Sequence, residues 1–161
     1  MLSINVNGIV YNRSGGGILS IVPEADYFKY MQESDTLQRF NVYYEKEQEQ
    51  QIVDFFRTQF ENGEVVESIP IETRHRHRQI GYNAFSDNCV SLTVEALPDE
   101  YFKQLLVEHL KNNALLGAWT PRELAKFLIE IDSDPVRGAK VRRLEDLPPL
   151  EENKPAHVCV I

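Results

Sequence analysis

The sequence predicts an α+β protein in which a small antiparallel sheet packs against helices. Hydrophobic residues alternate on both sides of Asn7-Gly8, a dipeptide that is the strongest short-range signal for a β-hairpin. The second half of the chain carries three segments with apolar residues at helical spacing, so helices follow a strand-rich first half. With 161 residues, of which 42% are hydrophobic, the chain is long enough for one domain with its own core.

Charge and cysteine content exclude several classes of function. The net charge of −8 argues against general binding to phosphate backbones, so we expect no nucleic-acid partner. We also expect no transmembrane segment, because no apolar run has the required length, and the start lacks the pattern of a signal peptide. The expected location is the cytoplasm where the protein is made, with secretion by a signal-peptide-independent route as the alternative. Two cysteines do not make a disulfide framework.

Turn signals and alternation define the elements of the first half. Leu2–Val6 and residues 9–11 are predicted as the strands of the hairpin. The glycine run at residues 14–17 lacks the Gly-Lys-Ser/Thr ending of a phosphate-binding loop, so we interpret it as a flexible loop. Residues 23–31 are predicted as a short helix and residues 37–44 as a strand.

Residues 45–61 carry the clearest helical pattern. Ile52, Phe56 and Phe60 recur at four-residue spacing, which places them on one helix face. An acidic start suits the positive end of a helix, and Asn62-Gly63 is a stop signal. We therefore predict a helix whose aromatic stripe belongs to the core rather than to a cofactor site.

Residues 65–80 are predicted to be extended and contain an alternating run of arginine and histidine at residues 74–78. On a strand, His75 and His77 would share one face and the three arginines the other. Two histidines so placed can ligate a metal, but no second ligand pair stands at metal spacing, so we expect no metal and no cofactor. The alternatives are a polar edge strand and a small basic patch for an acidic partner.

The helix that begins near residue 89 is the element on which the functional prediction depends. Val90, Val94 and Leu97 recur on one helical face, and Ser86 or Asp87 is predicted as its N-cap. Cys89 then falls in the first turn, where unpaired backbone N–H groups and the helix dipole favour a thiolate. The alternative is that Cys89 is a small apolar residue that anchors the helix start.

Two further helices and a proline-rich arm complete the chain. Residues 99–111 and 121–131 show helical spacing, and His109 is expected to interact with the C-terminal end of the first of these helices. From residue 133 onward prolines punctuate a charged stretch that ends in an apolar, strand-like segment. We predict a single α+β domain over residues 1–132 and an arm, residues 133–161, that returns as a C-terminal strand of the same domain.

Three segments resemble papain-like cysteine hydrolases, namely the NlpC/P60 superfamily and its circularly permuted relatives. Residues 82–90, Tyr-x-x-Phe-x-x-Asn-Cys-Val, resemble the nucleophile segment and its helix. Residues 155–161, Pro-Ala-His-Val-Cys-Val-Ile, are similar to the Pro-Gly-His-Val segment that opens the His-bearing strand. Residues 2–11 are similar to the hairpin that follows this histidine in permuted members. The resemblance covers about half the chain and implies a papain-like fold.

The resemblance also implies acyl transfer by a Cys–His pair. Cys89 would be the nucleophile and His157 the base, with His77 and His75 as the less favoured alternatives. The sequence departs from both family patterns, because no histidine precedes the first hairpin and the chain ends soon after His157. The alternatives are therefore an inactive relative and a domain cut from a larger protein upstream of its catalytic histidine.

The implied substrate is an amide or ester, and family analogy indicates a peptidoglycan amidase or peptidase that acts as a bacterial effector toxin. The expected partners are a peptide, peptidoglycan or acyl substrate and a protein inhibitor of the immunity type. Asn5 or Asn7 could supply the third, orienting group, whereas Asn88 is expected to cap the helix rather than to act in catalysis. The alternative from a different class is a non-catalytic protein-interaction module that uses the basic face of residues 74–78 or the acidic remainder of the surface.

Overall fold

An antiparallel sheet with helices on both of its faces forms the fold. The computed structural model describes residues 2–31, 38–42, 44–114, 117–132, 141–143 and 157–160. The strands are β1 (Leu2–Val6), β2 (Ile9–Arg13), β3 (Ile18–Pro23), β4 (Gln38–Val42), β5 (Glu64–Val65), β6 (His77–Gln79), β7 (Val141–Arg143) and β8 (His157–Val160). The helices are α1 (Glu24–Met31), α2 (Lys46–Glu61), α3 (Ile71–Arg74), α4 (Cys89–Ala96), α5 (Glu100–Asn113) and α6 (Pro121–Asp132). The predicted α+β class with an antiparallel sheet is confirmed.

Within the described residues, eight strands form one sheet in the order β5-β6-β3-β2-β1-β8-β4-β7, and every neighbouring pair is antiparallel. The last strand in the chain, β8, therefore lies between β1 and β4. The division of the chain at residue 132 stays a prediction. Among the helices of the described residues, none combines the length and the hydropathy that a membrane span requires.

The first hairpin has the predicted strands and turn. Val6 pairs with Ile9 across the two-residue turn, in which Asn7 has φ 52° and Gly8 has φ 82°. Positive φ at both central residues defines a type I′ turn, which matches the twist of the flanking strands and favours Asn-Gly. The local sequence is thus sufficient to specify this element.

Residues 14–17 form a tight turn where we predicted a loop. The backbone N–H of Ser14 donates to the Ile18 carbonyl, and that of Gly17 donates to the Ser14 carbonyl, each at 3.0 Å. Gly17 has φ +79°, and a Cβ atom there would lie 2.6 Å from the Gly81 backbone. Glycine is required here because another segment of the chain passes so close to the turn.

The two faces of the sheet differ in character. Leu2, Ile4 and Val6 of β1 face the main core, which they share with buried side chains of α2, α4, α5 and α6. The stripe predicted for residues 45–61 lies in this core, where the Phe56 ring stacks on that of Tyr11 at 5.0 Å. Ser3 lies on the opposite face, which α1 covers, and its hydroxyl donates to the Tyr27 hydroxyl at 3.0 Å.

The prediction of an extended segment over residues 65–80 is wrong at residues 71–75, where a short helix interrupts it, whereas residues 77–79 are the strand β6. Pro70 precedes the short helix α3, and its carbonyl accepts hydrogen bonds from the N–H groups of Thr73 and Arg74. His75 is the C-cap of α3, with φ −64° and ψ −14°, so it does not share a strand face with His77. These local turn hydrogen bonds override the alternation of the sequence.

The arginines of this segment do not form one basic face. Arg74 pairs with Glu67 at 2.9 Å, and Arg76 pairs with Asp26 at 2.8 Å. The Arg78 guanidinium lies 4.7 Å from the centre of the Phe60 ring. Each arginine therefore serves a different local contact, and the single arginine face that a strand would give is not formed at residues 74–78 as the structure describes them.

Candidate functional site

Asn88 caps the helix that carries Cys89. Its side-chain oxygen accepts hydrogen bonds from the backbone N–H groups of Val90 at 2.9 Å and Ser91 at 3.1 Å, while its own N–H donates to the Ser91 hydroxyl at 2.8 Å. This is a reciprocal capping box. The expectation that Asn88 caps the helix is confirmed. The N-cap assignment to Ser86 or Asp87 is wrong, because the helix begins only at Cys89.

Asn88 also joins the helix start to two other segments. Its side-chain amide donates to the carbonyls of Ala84 and Trp119, each at 3.0 Å. The residue is 4% exposed, so these hydrogen bonds satisfy polar atoms that water does not reach freely. The start of α4 is therefore held by contacts from the preceding loop and from the segment before α6.

Cys89 is the first residue of α4 and carries a free thiol that is partly exposed and packs against the main core. The Asn88 cap uses the N–H groups of the next two residues. Among the hydrogen bonds of the described residues, none uses the backbone N–H of Cys89 itself. A helix start of this kind favours a negative charge on a nearby group and offers a donor to an anion. The Cys89 thiol therefore lies at the N-terminal end of a helix, beside backbone N–H groups.

A buried arginine, which the sequence predictions did not include, fixes the loop before α4. Both terminal nitrogens of Arg13 donate to the Asp87 carboxylate, at 2.5 and 2.8 Å. The same guanidinium donates to the Gly81 carbonyl and to the Asn88 carbonyl. Its side chain is 2% exposed, whereas that of Asp87 is 55% exposed. We call this set of contacts among Arg13, Gly81, Asp87 and Asn88 the Arg13 clamp.

The clamp also perturbs the Asp87 carboxyl group. Hydrogen bonds from Arg13 hold the pKa of Asp87 below its usual value, and they outweigh partial burial, which acts in the opposite direction. No sequence pattern reveals this pair, because its members are 74 residues apart. An isolated arginine at the end of a hairpin strand was the only available signal.

His77 and His75, the alternative candidates for the base, have surroundings of their own. The Nδ1 atom of His77 lies 2.7 Å from the Ser20 hydroxyl, on the sheet face that α1 covers. Burial and then the nearby Arg76 charge lower the pKa of His77. His75 ends α3 and is exposed. Because α4 packs on the opposite face of the sheet, His77 is not placed beside Cys89.

The His109 ring lies between α5 and α6, and its predicted interaction with the C-terminal end of α5 stays a prediction. Its Nε2 atom is 3.9 Å from a Glu123 carboxylate oxygen, and its Nδ1 atom is 4.0 Å from one of Glu130. The centre of its ring is 5.3 Å from that of Phe127. His109 therefore has a packing and charge environment of its own, formed by the two helices.

The register of β8 places His157 relative to the hairpin. His157 pairs with Asn5 on one side and with Asn41 on the other. The start of α4 contacts Arg13, which lies at the end of the hairpin where Ser3 pairs with Asn12. Ser3 and Asn5 belong to the sheet face that α1 covers, whereas α4 packs on the other face. This register lends no support to a contact between His157 and Cys89, and the pair stays a prediction.

The two asparagines proposed as an orienting group stabilise the hairpin. The Asn5 side-chain oxygen accepts a hydrogen bond from the Gly8 backbone at 3.0 Å, and the Asn7 amide donates to Glu49 at 3.3 Å. Neither contact involves Cys89. In the part of the chain that the structure describes, no group of three or more His, Cys, Asp or Glu side chains is arranged to hold a metal ion.

Comparison of the chain with protein-family models, with curated proteins and with solved structures found no match. The geometry of the described residues therefore carries the functional argument that follows.

Proposed function

We propose that this chain is a cysteine-dependent hydrolase or acyltransferase of papain-like fold, with Cys89 as its nucleophile. One observation carries the proposal. A partly exposed thiol occupies the first residue of a helix whose start is held by the Asn88 cap and by the Arg13 clamp. The packing of α4 against β1 in an antiparallel sheet also agrees with what the resemblance of residues 82–90 to nucleophile segments implies.

The proposed reaction is acyl transfer in two steps. The Cys89 thiolate forms a bond to the carbonyl carbon of an amide or ester, and the amine or alcohol leaves with a proton. Water or another acceptor then cleaves the thioester, which releases the acyl group and restores the thiol. The backbone N–H of Cys89 would donate to the oxyanion in both steps. His157 remains the predicted proton acceptor, and Cys89 can be tested independently of it.

The finer identity of the substrate rests on resemblance. A peptidoglycan amidase or peptidase, acting as an effector toxin that a protein inhibitor neutralises, is the form of the proposal that family analogy favours. The net charge of −8 fits a protein that does not act on nucleic acid. Amide and ester probes are therefore the first substrates to test.

The test is acylation of Cys89 by activated esters, followed by intact mass and by release of the leaving group. The parent protein is expected to form an adduct on the peptide that contains Cys89 and to turn over. Cys89→Ser should abolish both, whereas Cys159→Ser, the same change at the other cysteine, should leave them intact. Loss of turnover in His157→Ala would identify the base. An adduct that persists in Cys89→Ser, or none in the parent, would contradict the proposal.

A non-catalytic interaction module is the second candidate. The observation that favours it is the packing of Cys89 against the main core, which is also the behaviour of a small apolar residue. In that case Cys89→Ala should leave every activity of the protein unchanged and should alter only its free energy of unfolding.

A further inference from the structure

We propose that Ser20 is a second nucleophile of this protein, activated by His77 as its base, and that it takes the acyl group of an ester. The two side chains meet on the adjacent strands β3 and β6. They lie on the sheet face that α1 covers, whereas Cys89 begins a helix on the other face. The serine–histidine pair is therefore a separate site, and its test does not depend on the function proposed for Cys89.

The contact between the two side chains has the geometry of a nucleophile and its base. The Ser20 hydroxyl oxygen lies 2.7 Å from the Nδ1 atom of His77. A base takes the proton of a nucleophile over heavy-atom distances of about 2.6–3.2 Å. With the ring proton on Nε2, Nδ1 is the acceptor and the Ser20 hydroxyl is the donor. The hydroxyl oxygen then gains nucleophilicity as its proton moves to the imidazole.

The sheet fixes this geometry from both sides. Ser20 and His77 are direct partners in the antiparallel register of β3 and β6, in which Ile18 also pairs with Gln79. Beyond the pair, the backbone N–H of Ile21 donates to the Arg76 carbonyl at 3.0 Å. Both backbones are thus held by hydrogen bonds on each side of the pair, and reactive groups carried by strands are positioned more precisely than those on loops.

The surroundings of His77 keep its imidazole in the state that a base requires. Burial is the larger cause that lowers the pKa of His77, and the positive charge of Arg76 acts in the same direction, followed by that of His75. Arg76 is itself held by Asp26 of α1, at 2.8 Å. The imidazole is therefore neutral at neutral pH and can accept the Ser20 proton.

A reagent from solvent can reach the pair. In the register of the sheet, Ser3, Asn12, Ser20 and His77 follow one another across β1, β2, β3 and β6. Ser3 and Asn12 are buried, at 0% and 8% exposure, whereas Ser20 and His77 are each partly exposed. The serine–histidine pair thus occupies the accessible end of a polar row that is otherwise closed.

The proposed reaction transfers the acyl group to Ser20. The Ser20 oxygen forms a bond to the ester carbonyl carbon while its proton passes to Nδ1 of His77. The bond between that carbon and the alcohol oxygen breaks, and the leaving alcohol takes the proton from His77. Water then hydrolyses the acyl-serine, which releases the carboxylic acid and restores the hydroxyl.

The experiment uses a fluorophosphonate, which a serine nucleophile attacks in the same way and which stays on the enzyme. The Ser20 oxygen forms a bond to phosphorus, fluoride leaves, and the proton passes through His77 to solvent. Labelling of the full chain is followed by peptide mass spectrometry, which separates an adduct on Ser20 from one on either cysteine. Ser86, an exposed serine of the loop before α4, is the internal standard in the same sample.

We expect Ser20 to be labelled at least about 100-fold faster than Ser86, which is the lower end of the rate gain that a positioned base provides. His77→Gln should remove this advantage and leave the Ser86 rate unchanged, and equal thermal unfolding would show that the variant is folded. The pH profile of the parent gives a test without a variant. Because the pKa of His77 is lowered, the rate at Ser20 should reach half of its maximum below the ordinary histidine pKa of about 6.5.

Two results would overturn the proposal. If the parent is labelled no faster at Ser20 than at Ser86, the contact with His77 is only a structural hydrogen bond between strands. If Ser20 is labelled rapidly but its rate is the same in a folded His77→Gln variant, or follows no titration below neutral pH in the parent, His77 is not its base.

Discussion

The Arg13 clamp predicts an unusual order of effects when its two charges are removed one at a time. The Arg13 side chain is 2% exposed and cannot be hydrated in place, whereas the Asp87 side chain is 55% exposed. Asp87→Asn therefore leaves an uncompensated buried cation, while Arg13→Met leaves a carboxylate that water can reach. Removal of the more exposed partner should be the more destabilising of the two changes.

The magnitudes follow from the contacts. Loss of one partner of a fully buried pair lowers the free energy of unfolding by about 3–5 kcal/mol. Because Asp87 is half exposed and asparagine can still accept one hydrogen bond, we expect about 2–3 kcal/mol for Asp87→Asn. Arg13→Met removes the donors to two carbonyls, and one of these carbonyls belongs to the buried residue Asn88. We therefore expect Arg13→Met to lower the free energy of unfolding by about 1–2 kcal/mol. The double variant should be no less stable than Arg13→Met alone.

The assay is urea unfolding followed by the fluorescence of Trp119, the single tryptophan of the chain. The urea concentration at the unfolding midpoint should fall in each variant, while the dependence of the free energy of unfolding on urea concentration stays the same. Asp26→Asn is the matched control, because its pair with Arg76 is more exposed, at 54% and 35%, and should contribute less than about 1 kcal/mol. Additive effects, or an Asp87→Asn variant more stable than Arg13→Met, would refute the reasoning.

Three further predictions concern the same region. Asn88→Ala should lower the free energy of unfolding by about 2 kcal/mol in urea unfolding, because it removes a helix cap. Gly17→Ala should be destabilising by more than about 1 kcal/mol, since its φ is +79° and a Cβ would meet the Gly81 backbone, while Gly15→Ala, with nothing within 4 Å, should be neutral in the same assay. Because the pKa of Asp87 is lowered in the folded state, its carboxylate makes its full contribution to the free energy of unfolding above the ordinary aspartate pKa of about 3.9. That contribution is lost as the pH falls through the folded pKa. The difference in free energy of unfolding between the parent and Asp87→Asn should therefore become smaller in acid.

Local signals were enough to predict some elements of this fold. Asn7-Gly8 specifies its turn through positive φ, and the spacing of Ile52 and Phe56 specifies α2, because each signal depends only on residues a few positions apart. Strand β3 was missed because residues 18–23 follow a glycine run and are stabilised by pairing with β2 and β6, which no local pattern reveals. Tertiary pairing decides such strands more than propensity does.

The candidate site likewise has one part that the local sequence predicts and another that it does not. The position of Cys89 at a helix start could be predicted, because a polar turn followed by apolar residues at helical spacing is a local signal. The histidine run was misassigned because the hydrogen bonds to the Pro70 carbonyl form a helical turn where alternation indicated a strand. The Arg13 clamp joins residues that are far apart in the chain, so only the folded structure reveals it.

The most direct test of the central claim is the rate at which iodoacetamide labels Cys89 at pH 6, measured by peptide mass spectrometry in the native and in the urea-unfolded chain. An ordinary thiol, with a pKa of about 8.5, is almost entirely protonated at this pH and reacts slowly. If the start of α4 activates Cys89, the native chain should be labelled at least about tenfold faster than the unfolded chain. Slower labelling of the native chain would contradict the assignment of Cys89 as a nucleophile.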